Sequence, residues 1–337
     1  MPARRSILLA LALLLAIVPS AGAATLFGFN DDWHSAGRAV AVTQRFGANS
    51  ERLQVFWRVA EPRPGTFDWF GWDRAYHAMV SRGVRPLLDV VTAPAWARDA
   101  TCADPNRCMQ SPLHDADFAA FVSTLVARYP QAVGVEIGNE PNLHNWTLHP
   151  DPARYAQILK VGYVAVKRVD PQMPVITGST CCTTAHSGGN IGAATFLNRL
   201  YGYGIKGFYD AIGFHLYPSR GVRLVARDIR FELRRMRRVR AAHGDTAPFW
   251  ITEVGFPSIG VSRYGGGVYT ERNQAVRETI AYHVLAGVRD VAAIYFYRLT
   301  DPPRGDAGGF GMGFFHRNLT PKPAARALLR LVRRARH

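Results

Sequence analysis

Eight times along the chain, a short apolar or β-branched run is followed by a longer stretch with helical periodicity, and this alternation constrains the fold more than any other feature. The runs are TLFGFN (25–30), RLQVFW (52–57), RPLLDVV (85–91), VGVEIGN (133–139), PVITGS (174–179), AIGFHLY (211–217), FWITEVG (249–255) and AAIYFYR (292–298). Between them, FAAFVSTLVARY (118–129) sets Phe118, Phe121, Val122 and Leu125 on one helical face, and 153–169 and 272–287 show similar patterns. Strands alternating with helices imply a parallel sheet, and eight such units predict an α/β fold of the (β/α)8 TIM-barrel type.

The connections are unequal. Helix-to-strand links are short, as in SRGVRP (81–86), whereas the strand-to-helix links at 92–115, 178–192, 255–270 and 300–315 are long and rich in Gly, Pro and aromatic residues. In a barrel the long links gather on the face at the C-terminal ends of the strands, where barrel sites are built.

The N-terminus reads as a secretory signal: Arg4 and Arg5, an apolar run from Ile7 to Val18, then the small residues Ala21-Gly22-Ala23. The run is too short to span a bilayer, so an exported protein is expected, extracellular or periplasmic, with no membrane anchor once the signal is removed. Residues 1–23 would be that signal and 24–337 one catalytic domain. In an exported chain, Cys102, Cys108, Cys181 and Cys182 suit disulfides, with the connectivity open. No spacing of Cys or His suggests a metal site, and no phosphate loop or GxGxxG suggests a cofactor.

The net charge is +16, with arginines clustered at 227–242 and 326–337 on helical patterns. Solvated helix faces account for them most simply, which leaves nucleic acid out; the sharper reading is affinity for an anionic polysaccharide.

Two carboxylates stand out. Glu140, in EIGNEPN, and Glu253, in WITEVG, end the fourth and seventh strands. An isolated acid there is commonly a structural ion-pair partner, but two in matched settings suit glycosidic cleavage, one protonating the leaving oxygen while the other attacks or activates water. Glu136, four residues deeper on the same strand, reads as a core acid; Glu61 reads as a loop anchor, and Asp89 is ambiguous.

Asn139-Glu140-Pro141 and Ile251-Thr252-Glu253-Val254-Gly255 resemble the acid/base and nucleophile motifs of clan A glycoside hydrolases, whose domains are (β/α)8 barrels. RLQVFWRVAEPRPGTFDW (52–69), APAW (93–96), GFHLYP (213–218) and FGMGFFHRNLTPKPAARAL (310–328) extend the resemblance over nearly the whole chain past the signal, with family 39 and its bacterial relatives nearest. The resemblance implies retention at a β-linkage in an oligosaccharide or polysaccharide, such as an exopolysaccharide. Glu253 would be the nucleophile, held ionised by Arg52 and Tyr217, and Glu140 the acid/base, kept protonated by burial and by the Glu253 charge. Asn139 would meet the sugar 2-OH, and His215 and Tyr217 would line the mouth. Trp96 would either stack on a sugar or clamp its own loop.

Clan members place a Trp on strand eight. This chain has Tyr295-Phe296-Tyr297, so Phe296 or Tyr297 would stand in for it. A transglycosylase would use the same residues, and a binding-only barrel would keep the fold without turnover.

Overall fold

The computed structural model describes residues 26–30, 38–98, 102, 104, 106, 114–181, 188–218, 220–261, 267–302 and 310–334. The expected signal segment lies outside them, as do Cys108 and Cys182. Eight parallel strands close into a barrel in sequence order: β1 (Leu26–Asn30), β2 (Ser50–Phe56), β3 (Arg85–Val91), β4 (Gly134–Asn139), β5 (Val175–Cys181), β6 (Ile212–Leu216), β7 (Phe249–Val254) and β8 (Val291–Phe296). The expected TIM barrel is therefore the observed fold, and each strand falls within a few residues of its apolar run.

The helices are α1 (Arg38–Arg45), α2 (Trp57–Ala60), α3 (Phe70–Val80), α4 (Asp115–Arg128), α5 (Pro152–Val169), α6 (Ala193–Gly202), α7 (Val225–Ala242), α8 (Glu271–Ala286) and α9 (Pro323–Arg334). Side-chain chemistry fixes where some begin. Asp151 caps α5 by accepting from the backbone N–H groups of Ala153 and Arg154, with Pro152 in the first turn, and Thr270 caps α8 by accepting from Asn273 N–H. On α4, Phe118, Phe121, Val122 and Leu125 are all buried, as their spacing predicts.

Alternation sorts each strand into two environments. Outward side chains such as Phe29, Val135 and Phe214 pack under the helices in one large apolar layer. Inward side chains stack along the barrel axis. Leu87, Val133, Ile176, Trp250 and Ala293 form an apolar floor, and above it lie Arg52, Asp89, Glu136, Ser179 and Thr252, all buried.

On the arginine-rich helix α7, Arg240 pairs with Asp290 at 2.8 Å, and Arg237 pairs with the same carboxylate. These two arginines thus help hold the helix to the barrel wall. Among the described residues no helix is long and apolar enough to cross a membrane.

Candidate active site

The backbone turns Glu140 into the mouth. Gly138 has φ 88° and Glu140 itself φ 43°, a left-handed conformation uncommon for a residue with a Cβ. Glu140 N–H still completes the ladder to Ser179 O at 2.9 Å, and Pro141 stops the strand there. A register shift acts similarly on β7: its pairing with β8 slips between Ile251 and Val254, so Thr252 and Glu253, though adjacent, both serve the barrel interior.

Glu140, His215 and Glu253 converge, each offering one ligand-type atom within 4.8 Å of the other two. His215 Nδ1 lies 2.9 Å from Glu140 Oε1 and 3.5 Å from Glu253 Oε2, while its Nε2 lies 3.0 Å from Thr252 Oγ1. These three side chains are also the group among the described residues whose spacing could hold a cation. Both glutamate side chains are largely buried, Glu140 13% and Glu253 9% exposed, leaving each a narrow opening to solvent.

The expected partners of Glu253 are in place. Arg52 Nη1 donates to Oε1 at 2.8 Å and the Tyr217 hydroxyl donates to Oε2. Burial nevertheless pushes the Glu253 carboxyl above its ordinary value, and the Glu140 charge adds to that push. His215, Arg52 and the Tyr217 hydroxyl pull the other way without prevailing. Those donors are legible in the sequence, whereas this desolvation comes only with the closed barrel. Burial also disfavours charge on His215, but the carboxylates of Glu253 and Glu140 outweigh it and raise the imidazole. The Tyr217 hydroxyl is raised well above its ordinary value by burial and the Glu253 charge, so it remains a donor.

Asn139 accepts from Arg52 Nη2 at 2.7 Å. Glu136 is fully buried and receives Arg52 Nε at 2.6 Å, the core acid expected, while Glu61 anchors its loop by accepting from Trp57 Nε1 and Gly65 N–H, each at 2.8 Å. Trp96 is half-buried, donates to the Glu61 carbonyl at 3.1 Å and meets Trp57 edge to face, contacts that clamp its own loop.

Phe296 is a correction. It is fully buried and packs against Phe27, Phe29 and Phe314 in the outer layer, because its position on β8 alternates away from the axis. Tyr297, just past the strand end, meets Tyr217 edge to face at 6.1 Å and is the strand-eight aromatic beside the carboxylates. Asn30, Ser179 and Thr252 were missed from sequence as members of this network. Their signal was small polar residues at inward strand positions.

A family 39 glycoside hydrolase from Bacteroides cellulosilyticus WH2 matches with a TM-score of 0.68 at 18% identity, over 91% of this chain and 63% of its own. The fold is shared with glycoside hydrolases. A GH5_18 protein from Streptomyces cattleya, in complex with GlcNAc, gives 0.70 at 18% identity over 93% of this chain and 80% of its own. A monomeric β-xylosidase from Caulobacter crescentus CB15 gives 0.68 at 18% over 91% and 67%. The chain thus spans less than two thirds of the length of the family 39 glycoside hydrolase. It matches no protein-family model and no curated protein.

Proposed function

We propose that the protein is a retaining glycoside hydrolase acting on β-linked oligosaccharide or polysaccharide, with Glu253 as nucleophile and Glu140 as acid/base. The observation that carries this is the approach of the two carboxylates, with an oxygen of each within 4.8 Å of the other. Retaining pairs stand about 5 to 5.5 Å apart, whereas inverting pairs need roughly 6.5 to 9.5 Å to admit a water. The solved glycoside hydrolases that share the barrel support a carbohydrate substrate.

In the first step Glu253 attacks the anomeric carbon as Glu140 gives its proton to the departing oxygen. The bond to the leaving sugar breaks and a glycosyl ester forms on Glu253. In the second step Glu140 takes a proton from water, whose oxygen displaces Glu253 and restores both groups. His215, hydrogen-bonded to Glu140 and close to Glu253, stabilises negative charge on whichever carboxylate carries it. Asn139 is placed by Arg52 to meet the sugar 2-OH, and Tyr217 and Tyr297 supply an aromatic wall beside it.

Export past a cleaved signal belongs to the same reading, as does disulfide bonding, supported by Cys102 and Cys181 both being bonded rather than free thiols. An anionic exopolysaccharide is the substrate suggested by the arginine excess. Reducing-end release by the purified protein on a panel of β-linked plant, fungal and bacterial polysaccharides tests the reading. Release by the wild type and none by Glu253→Gln supports it, and equal release by both removes Glu253 from its role.

A further inference from the structure

Beneath Glu253, one guanidinium meets three carboxylates. Arg52 Nε donates to Glu136 at 2.6 Å, Nη1 to Glu253 at 2.8 Å, and Nη2 stands 2.8 Å from Asp89 Oδ2. Arg52, Asp89 and Glu136 are shut off from solvent. Glu253 also has His215 at 3.5 Å, but among the described residues Asp89 and Glu136 share the single charge of Arg52, and a buried unbalanced charge costs more than taking up a proton.

The hydrogen bonds single out where that proton belongs. Glu136 accepts from Arg52, from Ser179 N–H at 3.0 Å and from Thr252 Oγ1 at 3.2 Å. Glu253 accepts from Arg52 and Tyr217 on separate oxygens. Asp89 receives Gln54 Nε2 on Oδ2 at 3.1 Å, while its Oδ1 is buried without a hydrogen-bond partner.

We infer that Asp89 is a positioning residue that works in its protonated form, giving up its charge so that Arg52 is left to Glu136 and to the nucleophile. The inference rests on the glycosidase reading for its consequence and on the buried cluster for its cause. Burial pushes the Asp89 carboxyl up to about 7; Arg52 opposes this, and the charges of Glu136 and Glu253 add to it. The groups that face Asp89 are Arg52 and Gln54 from β2, Glu136 from β4, Glu253 from β7 and, through the sheet, Tyr155 from α5. Burial raises the Tyr155 hydroxyl far beyond its ordinary value, so it stays neutral throughout.

Two measurements on the mature protein test this. In the first, kcat/KM is followed against pH for the wild type, Asp89→Ala and Asp89→Asn. The alanine variant frees the guanidinium to shift and should lose roughly 100-fold, the scale of a small misplacement at a reacting group. Asparagine, shaped like the protonated acid, should restore most of that loss and lack an ionisation near neutral pH that the wild type shows. An asparagine variant as damaged as the alanine one, or unable to fold, would mean that Asp89 serves as an ionised partner, and the proposal fails.

The second measurement is the melting temperature of the wild type against that of Asp89→Asn, which needs no substrate. An acid whose folded value lies above its unfolded one, about 3.9, contributes stability that is full below the unfolded value and lost as pH rises through the folded one. The wild type should therefore fall relative to Asp89→Asn between about pH 4 and 7. A flat difference overturns the proposal. A sloping difference in a protein that cleaves no glycoside keeps the proton on Asp89 and removes instead the role of Glu253.

Discussion

His215 reaches Glu140 across the barrel mouth, its Nδ1 2.9 Å from Oε1, and the same nitrogen lies 3.5 Å from Glu253. Its positive charge is the largest of the influences that lower the Glu253 carboxyl against burial. Removing that charge should raise Glu253 further. In the proposed double displacement Glu253 must be ionised to attack, so activity falls as pH drops through its value. The acid limb of kcat/KM should thus lie above the ordinary glutamate range in the wild type and move to still higher pH in His215→Asn. An acid limb that stays put or moves down would show that His215 does not tune Glu253.

The two neighbouring aromatics at the end of β8 should separate cleanly. Tyr297 faces Tyr217 at the mouth, while Phe296 is buried among Phe27, Phe29 and Phe314. Phe296→Ala should lower unfolding free energy by about 3 to 5 kcal/mol, as large cavities in a core do. Tyr297→Ala should leave stability close to the wild type and raise KM instead. Chemical denaturation and steady-state kinetics on both variants check this, and the reverse pattern would move Phe296 into the site.

Glu278 on α8 accepts from Phe256 N–H at 3.2 Å through Oε1, and its Oε2 is buried without a hydrogen-bond partner. Burial raises its carboxyl well above the ordinary value, opposed by the Phe256 hydrogen bond and the Lys322 charge. A raised acid loses its stabilising contribution as pH climbs from the unfolded value upward. Glu278→Gln keeps an acceptor for Phe256 and cannot ionise, so its melting temperature should exceed that of the wild type at alkaline pH and the gap should close in acid. A gap that widens in acid would contradict the assignment.

Much of this arrangement was legible from sequence because a barrel writes its topology into a one-dimensional rhythm. The eight apolar runs located the strands, and Glu140 and Glu253 stood out because a carboxylate at the end of a buried run needs a reason. Local backbone events were not legible. Strict alternation from Trp250 and Thr252 would turn Glu253 outward, and the register shift on β7 turns it in. The sequence offers Phe296 and Tyr297 alike because the end of a strand is where it is least able to say which face a side chain takes.

The polar layer was hidden for another reason. Arg52, Asp89 and Glu136 lie on three adjacent strands, with Asp89 and Glu136 in direct register. Three charged residues inside apolar runs hinted at a network. Asn30 joins from β1 in register with Arg52, and only closure of the barrel brings Thr252 from the far side to complete it. The cost of burying Glu253 follows from the same closure, which is why its hydrogen-bond donors were foreseen and the direction of its shift was not.

The central claim is that Glu140 and Glu253 act by double displacement, and the stereochemistry of the first product tests it most directly. Proton NMR of a cleavage reaction, followed from the first turnovers before mutarotation, reports the anomer released. The account predicts that a β-linked substrate yields the β-anomer with wild type, and that Glu253→Gln is slowed on the order of 10⁴-fold or more, as loss of a nucleophile requires. Initial release of the α-anomer would contradict the account, because it requires water, and not Glu253, to displace the leaving group directly.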